Sequence, residues 1–278
     1  MCGRYASSAH PEDLVEEFDI DEDHLGEPFR SLLVSPQSPP AGEPDFNVAP
    51  TKAAPVVLTR VPRGADPDDE PTRQLRLMTW GLVPGWAKDV KMGLRLINAR
   101  SEELLDKSTF AKAAASRRCL VPADGWYEWQ ASPTACDARG RPRKQPFFIR
   151  RSDGRPMAMA GLYEFWRDRS LAEDDPGAWL TTYSIITTAA EPGLDRIHDR
   201  QPLVLERSDW DDWLSPTMND PSRVRAHLEF AGHGRFDAYP VSPAVNSSRN
   251  NGIQLLEPLA RADLTGVVDP TTGEIIGE

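Results

Sequence analysis

The chain has 278 residues, 39% of them hydrophobic, and a formal net charge of −11. This hydrophobic content excludes a disordered chain, and the length is enough for one large domain with a substantial core. The acidic excess argues against general nucleic-acid binding, but Lys and Arg outnumber acids in residues 88–118 and 139–155. These two stretches are either solvated faces or a local groove for phosphates, and the composition leaves both interpretations open.

The three cysteines form no CxxC pair, and the five histidines show no metal-ligand spacing. We therefore expect a reducing compartment, no disulfide framework, no metal and no cofactor. No signal-like segment opens the chain, and no apolar run approaches membrane-spanning length. The sequence thus predicts a soluble, cytoplasmic protein with no membrane partner, and a monomer is the default expectation.

Apolar periodicity predicts a short helix over 11–19 in the first part of the chain. Strands are predicted at 54–60 and 73–84, joined by an acidic loop. The clearest helix is predicted over 101–118, with Ser101 as its N-cap, acids in the first turn and bases in the last.

The next part of the chain is predicted to be rich in strands. A strand at 118–130 leads into a polar loop at 131–144. Further strands are predicted at 146–151, 157–166, 182–190 and 238–246. Short helices are predicted at 208–214, where Ser208 is the cap, and at 221–230.

The order of these elements shows no βαβ alternation and no internal repeat. It favours an α+β fold, a single domain over 2–262 with a curved, mostly antiparallel, barrel-like sheet and a few flanking helices. The tail over 263–278 is expected to be frayed.

The chain begins MCGRY, and this start has a chemistry of its own. Because residue 2 is small, removal of Met1 is expected, which leaves Cys2 with a free α-amine beside its thiol. An α-amine has a pKa of about 7.7–8.0, so a far larger fraction of it is unprotonated at neutral pH than of a lysine amine with a pKa of about 10.4. Such an amine forms an imine with an aldehyde, and the tethered thiol then closes a five-membered thiazolidine. Gly3 leaves space beside the reacting centre.

The same start has other interpretations, which the first residues leave open. N-terminal-nucleophile hydrolases attack amides with the thiolate and use the α-amine as a base, and amidotransferases of that class also begin Met-Cys-Gly. A peptidase or amidase that uses Cys2 as an ordinary nucleophile is therefore one alternative. A noncovalent module for single-stranded DNA and a start without any function are the others.

Seven further motifs follow this start in a fixed order. They are FNVAPT (46–51), WGLVPGW (80–86), INARSE (97–102), RCLVPADGWYEW (118–129), AGLYEFW (160–166), TTAA…IHDRQP (187–202) and PVSPAVN (240–246). The series resembles the SRAP family, the SOS-response-associated peptidase-like proteins, from residue 2 to about 260. The amidotransferase class shares only the first three residues.

This resemblance implies a compact α+β domain that crosslinks covalently to abasic sites in single-stranded DNA through Cys2, as part of the DNA damage response. The partner is then DNA without base-specific contacts, and the protein is nucleoid-associated when bound. Removal of Met1 by the protein itself and a weak strand-cleaving lyase activity, through β-elimination at the imine, are further expectations.

The catalytic residues expected from the matched motifs are Cys2, Asn98, Glu128 and His198. Asn98 offers an amide to hold a sugar hydroxyl or the adduct. Glu128 lies among aromatic residues, where burial would raise its pKa toward neutrality as a proton shuttle requires. His198 is interpreted as a second general acid or base. Glu164 has a similar setting but no matching role, and we interpret it as structural.

The residues expected to contact DNA come from the same motifs and include arginines for the phosphates. They are Arg4, Asn47, Pro50, Trp80, Arg100, Trp129, Thr188 and Arg200. Trp80 is favoured for stacking on an unpaired base, whereas Trp86 and Trp129 are equally suited to stacking and to core packing. Gln201 stands where the family usually has Met, which puts the local packing in question. The loops 61–72 and 131–144 look like insertions that would alter the preferred DNA junction.

Overall fold

Sixteen β-strands and four short α-helices form the secondary structure of the computed structural model, which describes residues 2–277 except 34, 63, 65, 67, 173, 230, 231 and 233. The strands are β1 (Tyr5–Ser7), β2 (Glu22–Asp23), β3 (Asp45–Val48), β4 (Ala53–Arg60), β5 (Thr72–Trp80), β6 (Asn98–Arg100), β7 (Arg118–Ala123), β8 (Gly125–Cys136), β9 (Pro142–Arg151), β10 (Met157–Arg167), β11 (Trp179–Ala189), β12 (Arg200–Pro202), β13 (Val204–Leu205), β14 (Phe236–Pro240), β15 (Val267–Val268) and β16 (Ile275–Ile276). The helices are α1 (Pro11–Glu17), α2 (Ala111–Ser116), α3 (Trp210–Leu214) and α4 (Pro221–Leu228).

Five of these strands close into a barrel. Antiparallel pairing joins β5 to β4, β4 to β7, β7 to β10 and β10 to β11. Parallel pairing of β11 with β5, with Tyr183 opposite Trp80, closes the ring. The prediction of a single α+β domain with a mostly antiparallel, barrel-like sheet is therefore confirmed.

Side chains on the barrel strands alternate between two cores, as the two-residue period of a strand requires. In β10, Met157 and Met159 face the barrel interior, whereas Ala158 and Ala160 face the helices outside. The outer core includes the stacked rings of Phe18 and Trp210, 4.6 Å apart. The few helices thus cover one side of the barrel.

A second sheet covers the barrel interior at one end, in the order β14, β9, β8, β1 and β3. Tyr5, Trp126 and Phe147 of this sheet share one buried core with Trp80 and Tyr183 of the barrel. Because β1 begins just after Cys2, this packing holds the N-terminus against the barrel.

The predicted single strand at 118–130 is two strands that belong to different sheets. The chain leaves the barrel at Ala123 and enters the second sheet at Gly125. A side chain at Gly125 would collide with the ring of Phe148. Asp124 lies between the strands, and its carboxylate accepts a 2.7 Å hydrogen bond from the Ser8 backbone N–H.

The predicted helix over 101–118 is wrong in its extent. A 3-10 turn covers Ser101–Glu103, and α2 begins only at Ala111. The intervening segment includes Ser108 and Thr109, which are poor helix formers, and it lets Leu104 and Phe110 both reach the outer core. Ser101 is buried and is the first residue of the 3-10 turn, and Arg100 occupies the N-cap position.

The bounds of the other three helices agree better with the predictions from sequence. Helices α1 and α4 lie within 11–19 and 221–230, although residue 230 is outside the described part of the chain. Helix α3 ends at Leu214 as predicted, but Ser208 belongs to a preceding 3-10 turn and does not cap it.

The predicted polar loop at 131–144 and the frayed tail at 263–278 are also wrong. Strands β8 and β9 extend through the loop region and leave only a short turn, where Gly140 adopts a φ of 73°. The tail forms the β15–β16 hairpin, and its residues Leu264 and Val267 are buried in the core shared by the barrel and the second sheet. Two apolar residues in a polar segment gave too weak a periodicity to predict this packing.

A buried pair of hydroxyl groups links the second sheet to the barrel. The Tyr5 and Tyr183 oxygens lie 2.6 Å apart, and both residues are fully buried. Replacing Tyr183 by Phe would leave the Tyr5 hydroxyl buried without its partner. We expect Tyr183→Phe to lower the free energy of unfolding by about 1–3 kcal/mol in urea denaturation. Tyr239→Phe, at a half-buried site, is the control, and an equal effect of the two substitutions would contradict this role.

Candidate functional site

The candidate site lies where the N-terminus meets strand β8. The β1–β8 register pairs Tyr5 with Trp126, and the Tyr127 N–H donates to the Arg4 carbonyl at 2.9 Å. Extending this antiparallel register places Gly3 opposite Glu128 and Cys2 opposite Trp129, so Cys2 is a close neighbour of Glu128. Cys2 is fully buried in this position. Removal of Met1 is a prediction that lies outside the described residues.

Asn98 is the second residue that the fold brings to this site. It begins β6, which pairs in parallel with β11, and its side-chain N–H donates a 2.7 Å hydrogen bond to the Cys2 carbonyl. Its side-chain oxygen is buried and has no hydrogen-bond partner among the described residues, and the same holds for the Thr187 hydroxyl. The site therefore contains two buried oxygens that are available to bind a hydroxyl group.

The electrostatics of the site favour neutral groups. Burial raises the pKa of the Cys2 thiol well above its usual range, and the Glu128 carboxylate raises it further. Burial also raises the pKa of Glu128 itself, while the nearby His198 acts in the opposite direction. A carboxyl group with a raised pKa exchanges protons closer to neutral pH, which suits proton transfer.

His198 follows a 3-10 turn over Leu194–Arg196. Its Nδ1 accepts a 3.0 Å hydrogen bond from the Arg200 backbone N–H and lies 2.8 Å from a carboxylate oxygen of Asp199. The fold thus brings Cys2, Asn98, Glu128 and His198 to one region, although they lie far apart in the sequence.

The Arg4 guanidinium is held in place by neighbouring residues. Its Nη1 donates to the Asn47 side-chain oxygen and to the Val245 carbonyl, both at 2.8 Å. Asn47 is fully buried, and its amide nitrogen donates to the carbonyls of Val245, Ser247 and Asn250. Direct DNA contact by Asn47 is therefore wrong, because its side chain fixes the 245–250 segment instead.

A buried ion pair, which was not predicted from the sequence, supports this arrangement. The Lys52 ammonium donates to Asp45 at 2.6 Å and to the Asn47 carbonyl at 3.2 Å. Lysine is rarely buried, so a single Lys after FNVAPT predicts a surface residue.

The two other predicted phosphate-binding arginines differ in their surroundings. Arg100 is exposed and makes no hydrogen bond or ion pair with the described residues. Arg200 is held by two hydrogen bonds to the Glu102 carboxylate, at 2.6 and 2.9 Å, and by a third to the Thr187 carbonyl. Arg100 is therefore free to bind a phosphate, whereas Arg200 would first have to release Glu102.

The tryptophans correct one expectation. Trp80 is fully buried between barrel and second sheet, and its indole N–H donates to the Ile97 carbonyl at 2.8 Å. Stacking of Trp80 on a base is therefore wrong, since the hydrophobic core encloses its ring. Trp129 is half-buried, with its N–H bonded to the Asn246 side-chain oxygen at 2.7 Å. Trp86 is 60% exposed.

Pro50 and Thr188, two further residues expected to contact DNA, both occupy half-buried positions. Pro50 begins a tight turn in which Thr51 adopts a φ of 76°. Thr188 lies on β11 opposite Gln201. The Gln201 side chain is buried and accepts a 2.8 Å hydrogen bond from the Glu191 N–H. Gln201, which stands where the family usually has Met, is therefore accommodated without loss of packing.

The described residues offer neither a metal site nor a membrane-spanning helix. They contain no group of His, Cys, Asp or Glu side chains able to hold a metal ion. None of the helices among them has the length and apolar character needed to cross a membrane.

Glu164, interpreted as structural, forms a 2.8 Å ion pair with Arg117.

Comparison with known proteins identifies relatives over nearly the whole chain. "Abasic site processing protein YoqW" of Bacillus subtilis is 36% identical over 260 residues, covering 92% of this chain and 99% of its own length. "Abasic site processing protein HMCES" of Mus musculus is 31% identical, covering 97% of this chain and 78% of its own length.

A solved structure of a protein from Bacteroides thetaiotaomicron superimposes with a TM-score of 0.70 at 21% identity, covering 93% of this chain and all of that one. This likeness shows a shared fold. The profile of the family described as SOS response associated peptidase (SRAP) matches residues 1–248. With a match of this extent and two relatives above 30% identity, the chain belongs to the SRAP family.

Proposed function

We propose that this protein processes abasic sites in DNA by forming a covalent thiazolidine between the N-terminal Cys2 and the opened sugar of a lesion in single-stranded DNA. The observation that carries the proposal is the convergence of Cys2, Asn98 and Glu128 at one buried site. The names of the relatives, which are abasic site processing proteins, support the substrate class.

The first step opens the sugar ring of the lesion. The C1′ hydroxyl loses its proton and the ring oxygen gains one, which exposes the aldehyde. We assign the exchange of these protons to His198 and Glu128, and the proximity of the two residues supports this assignment. The Asn98 and Thr187 oxygens, which are buried without partners among the described residues, would accept hydrogen bonds from the sugar hydroxyls.

The second step joins Cys2 to the sugar after Met1 has been removed. Glu128 in its acid form protonates the aldehyde oxygen as the α-amine adds to the carbon. The resulting carboxylate takes up one proton from the nitrogen and returns it to the hydroxyl, which departs as water. The carboxylate then removes the remaining proton from the iminium nitrogen, which leaves a neutral imine. The thiol sulfur then adds to the imine carbon while its proton passes to the nitrogen. No oxidant or cofactor is needed, and the thiol enters this step in the neutral form that its raised pKa favours.

The same intermediate explains the secondary activities in the proposal. The imine permits β-elimination and hence weak strand cleavage, and proton donation by Glu128 would reopen the ring. An ordinary thiol peptidase or amidase has less support, because a thiolate nucleophile requires a lowered pKa and burial of Cys2 raises it.

The direct test uses a single-stranded oligonucleotide from which uracil has been excised. After incubation with the protein and heating, a denaturing gel should show a shifted band. The intact oligonucleotide is the control and should give none. Absence of a heat-stable band with the excised oligonucleotide would rule out the crosslink and leave noncovalent binding as the alternative.

The exposed Arg100 should contribute a phosphate contact. We expect Arg100→Ala to weaken binding to every sequence alike and to reduce the slope of log affinity against log salt by about 0.7. Arg225, exposed on helix α4, is the matched control. Fluorescence anisotropy over a salt series measures both slopes, and identical slopes for the two variants would show that Arg100 contacts no phosphate.

A further inference from the structure

The β8–β9 hairpin continues well beyond the candidate site, and we name its residues 131–145 the hairpin arm. We propose that the hairpin arm binds the phosphate backbone of the single-stranded DNA that flanks the lesion. This inference rests on the proposed function, because it assumes that DNA occupies the Cys2 site.

The charge of the hairpin arm is opposite to that of the protein as a whole. It contains Arg139, Arg141, Arg143 and Lys144 against the single acid Asp137, whereas the full chain has a net charge of −11. Arg141 pairs with Asp137 at 2.8 Å. The other three cations are exposed and form no ion pair with the residues that the structure describes. Unpaired cations of this kind attract phosphates.

The hairpin arm is continuous with the strand that carries the site. Trp129 pairs with Pro146, and Ala131 pairs with Lys144. Directly opposed residues of an antiparallel pair share a face, so Lys144 is a diagonal neighbour of Trp129 at about 7–8 Å. At roughly 3.4 Å per residue, the far end of β8 at Cys136 lies on the order of 25 Å beyond Glu128.

The base of the hairpin arm is braced by the C-terminal segment. At its base, Gln130 accepts a 2.8 Å hydrogen bond from the Val268 N–H and donates one to the Val268 carbonyl at 2.9 Å. A side chain at Gly266 would collide with Ser132 and Thr134, so the C-terminal segment packs closely against β8. An isolated two-stranded hairpin is only marginally stable, and the β15–β16 hairpin supplies the missing support.

DNA is the occupant that these observations favour over an acidic protein. The hairpin arm extends the strand of Glu128 and Trp129, so a strand of DNA that leaves the Cys2 site on this side would pass along it. Guanidinium groups such as those of Arg139 and Arg143 bind phosphates through paired hydrogen bonds. The hairpin arm would then favour longer single strands over short ones without reading their bases.

The test compares two abasic oligonucleotides, one with two nucleotides on each side of the lesion and one with twelve. We expect the wild-type protein to bind and crosslink the long one better. The triple variant Arg139→Gln, Arg143→Gln and Lys144→Gln should lose this advantage and still crosslink the short oligonucleotide at the wild-type rate. The slope of log affinity against log salt for the long oligonucleotide should fall by about 2, which corresponds to three phosphates.

The matched control replaces Arg155, Arg169 and Arg225 by Gln, since all three are exposed and lie outside the hairpin arm. If the triple variant keeps the wild-type preference for the long oligonucleotide and the wild-type salt slope, the proposal is overturned. An acidic protein is then left as the partner. Loss of crosslinking to the short oligonucleotide would overturn the proposal as well. If the wild-type protein crosslinks neither oligonucleotide, the proposed function fails, and the salt slopes on intact single strands decide the role of the hairpin arm separately.

Discussion

Cys2→Ser should remove the heat-stable adduct with abasic single-stranded DNA. Serine is small enough for Met1 to be removed, so the variant keeps a reactive α-amine but loses the thiol that closes the stable ring. We expect the heat-stable fraction on a denaturing gel to fall on the order of 10²-fold or more, because well-oriented intramolecular reactions reach effective molarities of about 10⁵–10⁸ M. Borohydride should restore a band by trapping the imine.

The control for this substitution is Cys136→Ser, which changes the exposed cysteine at the end of β8. It should crosslink as the wild-type protein does. Full heat-stable crosslinking by Cys2→Ser would exclude the thiazolidine, and loss of the borohydride-trapped band would show that the amine is also unable to react.

Glu128→Gln should slow formation of the adduct by about 10²–10⁴-fold, the usual contribution of a positioned acid or base. Glutamine keeps the size and hydrogen-bonding ability of the side chain but transfers no proton. Single-turnover crosslinking rates measure the effect. Glu164→Gln is the control, because Glu164 also lies between aromatic residues of a strand but is ion-paired with Arg117 away from Cys2.

The pH dependence of the same reaction has a defined sign. Burial raises the pKa of Glu128, so its acid form persists to a higher pH than that of an exposed glutamate. As the pH rises through this raised pKa the acid form disappears, and departure of the hydroxyl from the carbinolamine should slow. The wild-type rate should therefore decline on the alkaline side, and Glu128→Gln should lack that decline. A decline that persists in the variant would assign it to another group.

The sequence was most informative where chemistry and strand periodicity coincide. Glu128 lies among aromatic residues, and that setting correctly predicted its burial. The aminothiol chemistry of Cys2 follows from its position alone, but its contact with Asn98 depends on pairing between β6 and β11. Pairs of residues so distant in sequence meet only through the tertiary fold, so their approach could be expected only from the resemblance to a family.

Other predictions from the sequence were wrong because local patterns do not specify burial or strand partners. Trp80 and Trp86 belong to one motif, yet one is fully buried and the other is largely exposed. The turn at Asp124 divides one apolar run between two sheets, and the alternation of side chains looks the same on both sides of it. Asn47 has a side-chain amide that could bind a ligand, but the amide nitrogen donates its hydrogen bonds to backbone carbonyls of the protein itself.

Mass spectrometry of the crosslinked protein after digestion by nuclease and trypsin tests the thiazolidine at Cys2 directly. We expect a peptide over Cys2–Arg4 that lacks Met1 and carries the sugar remnant with the loss of one water. Its sulfur should resist alkylation, because it is part of the ring. A peptide that retains Met1, a remnant on any other residue, or a Cys2 thiol that is readily alkylated would show that no thiazolidine forms at Cys2.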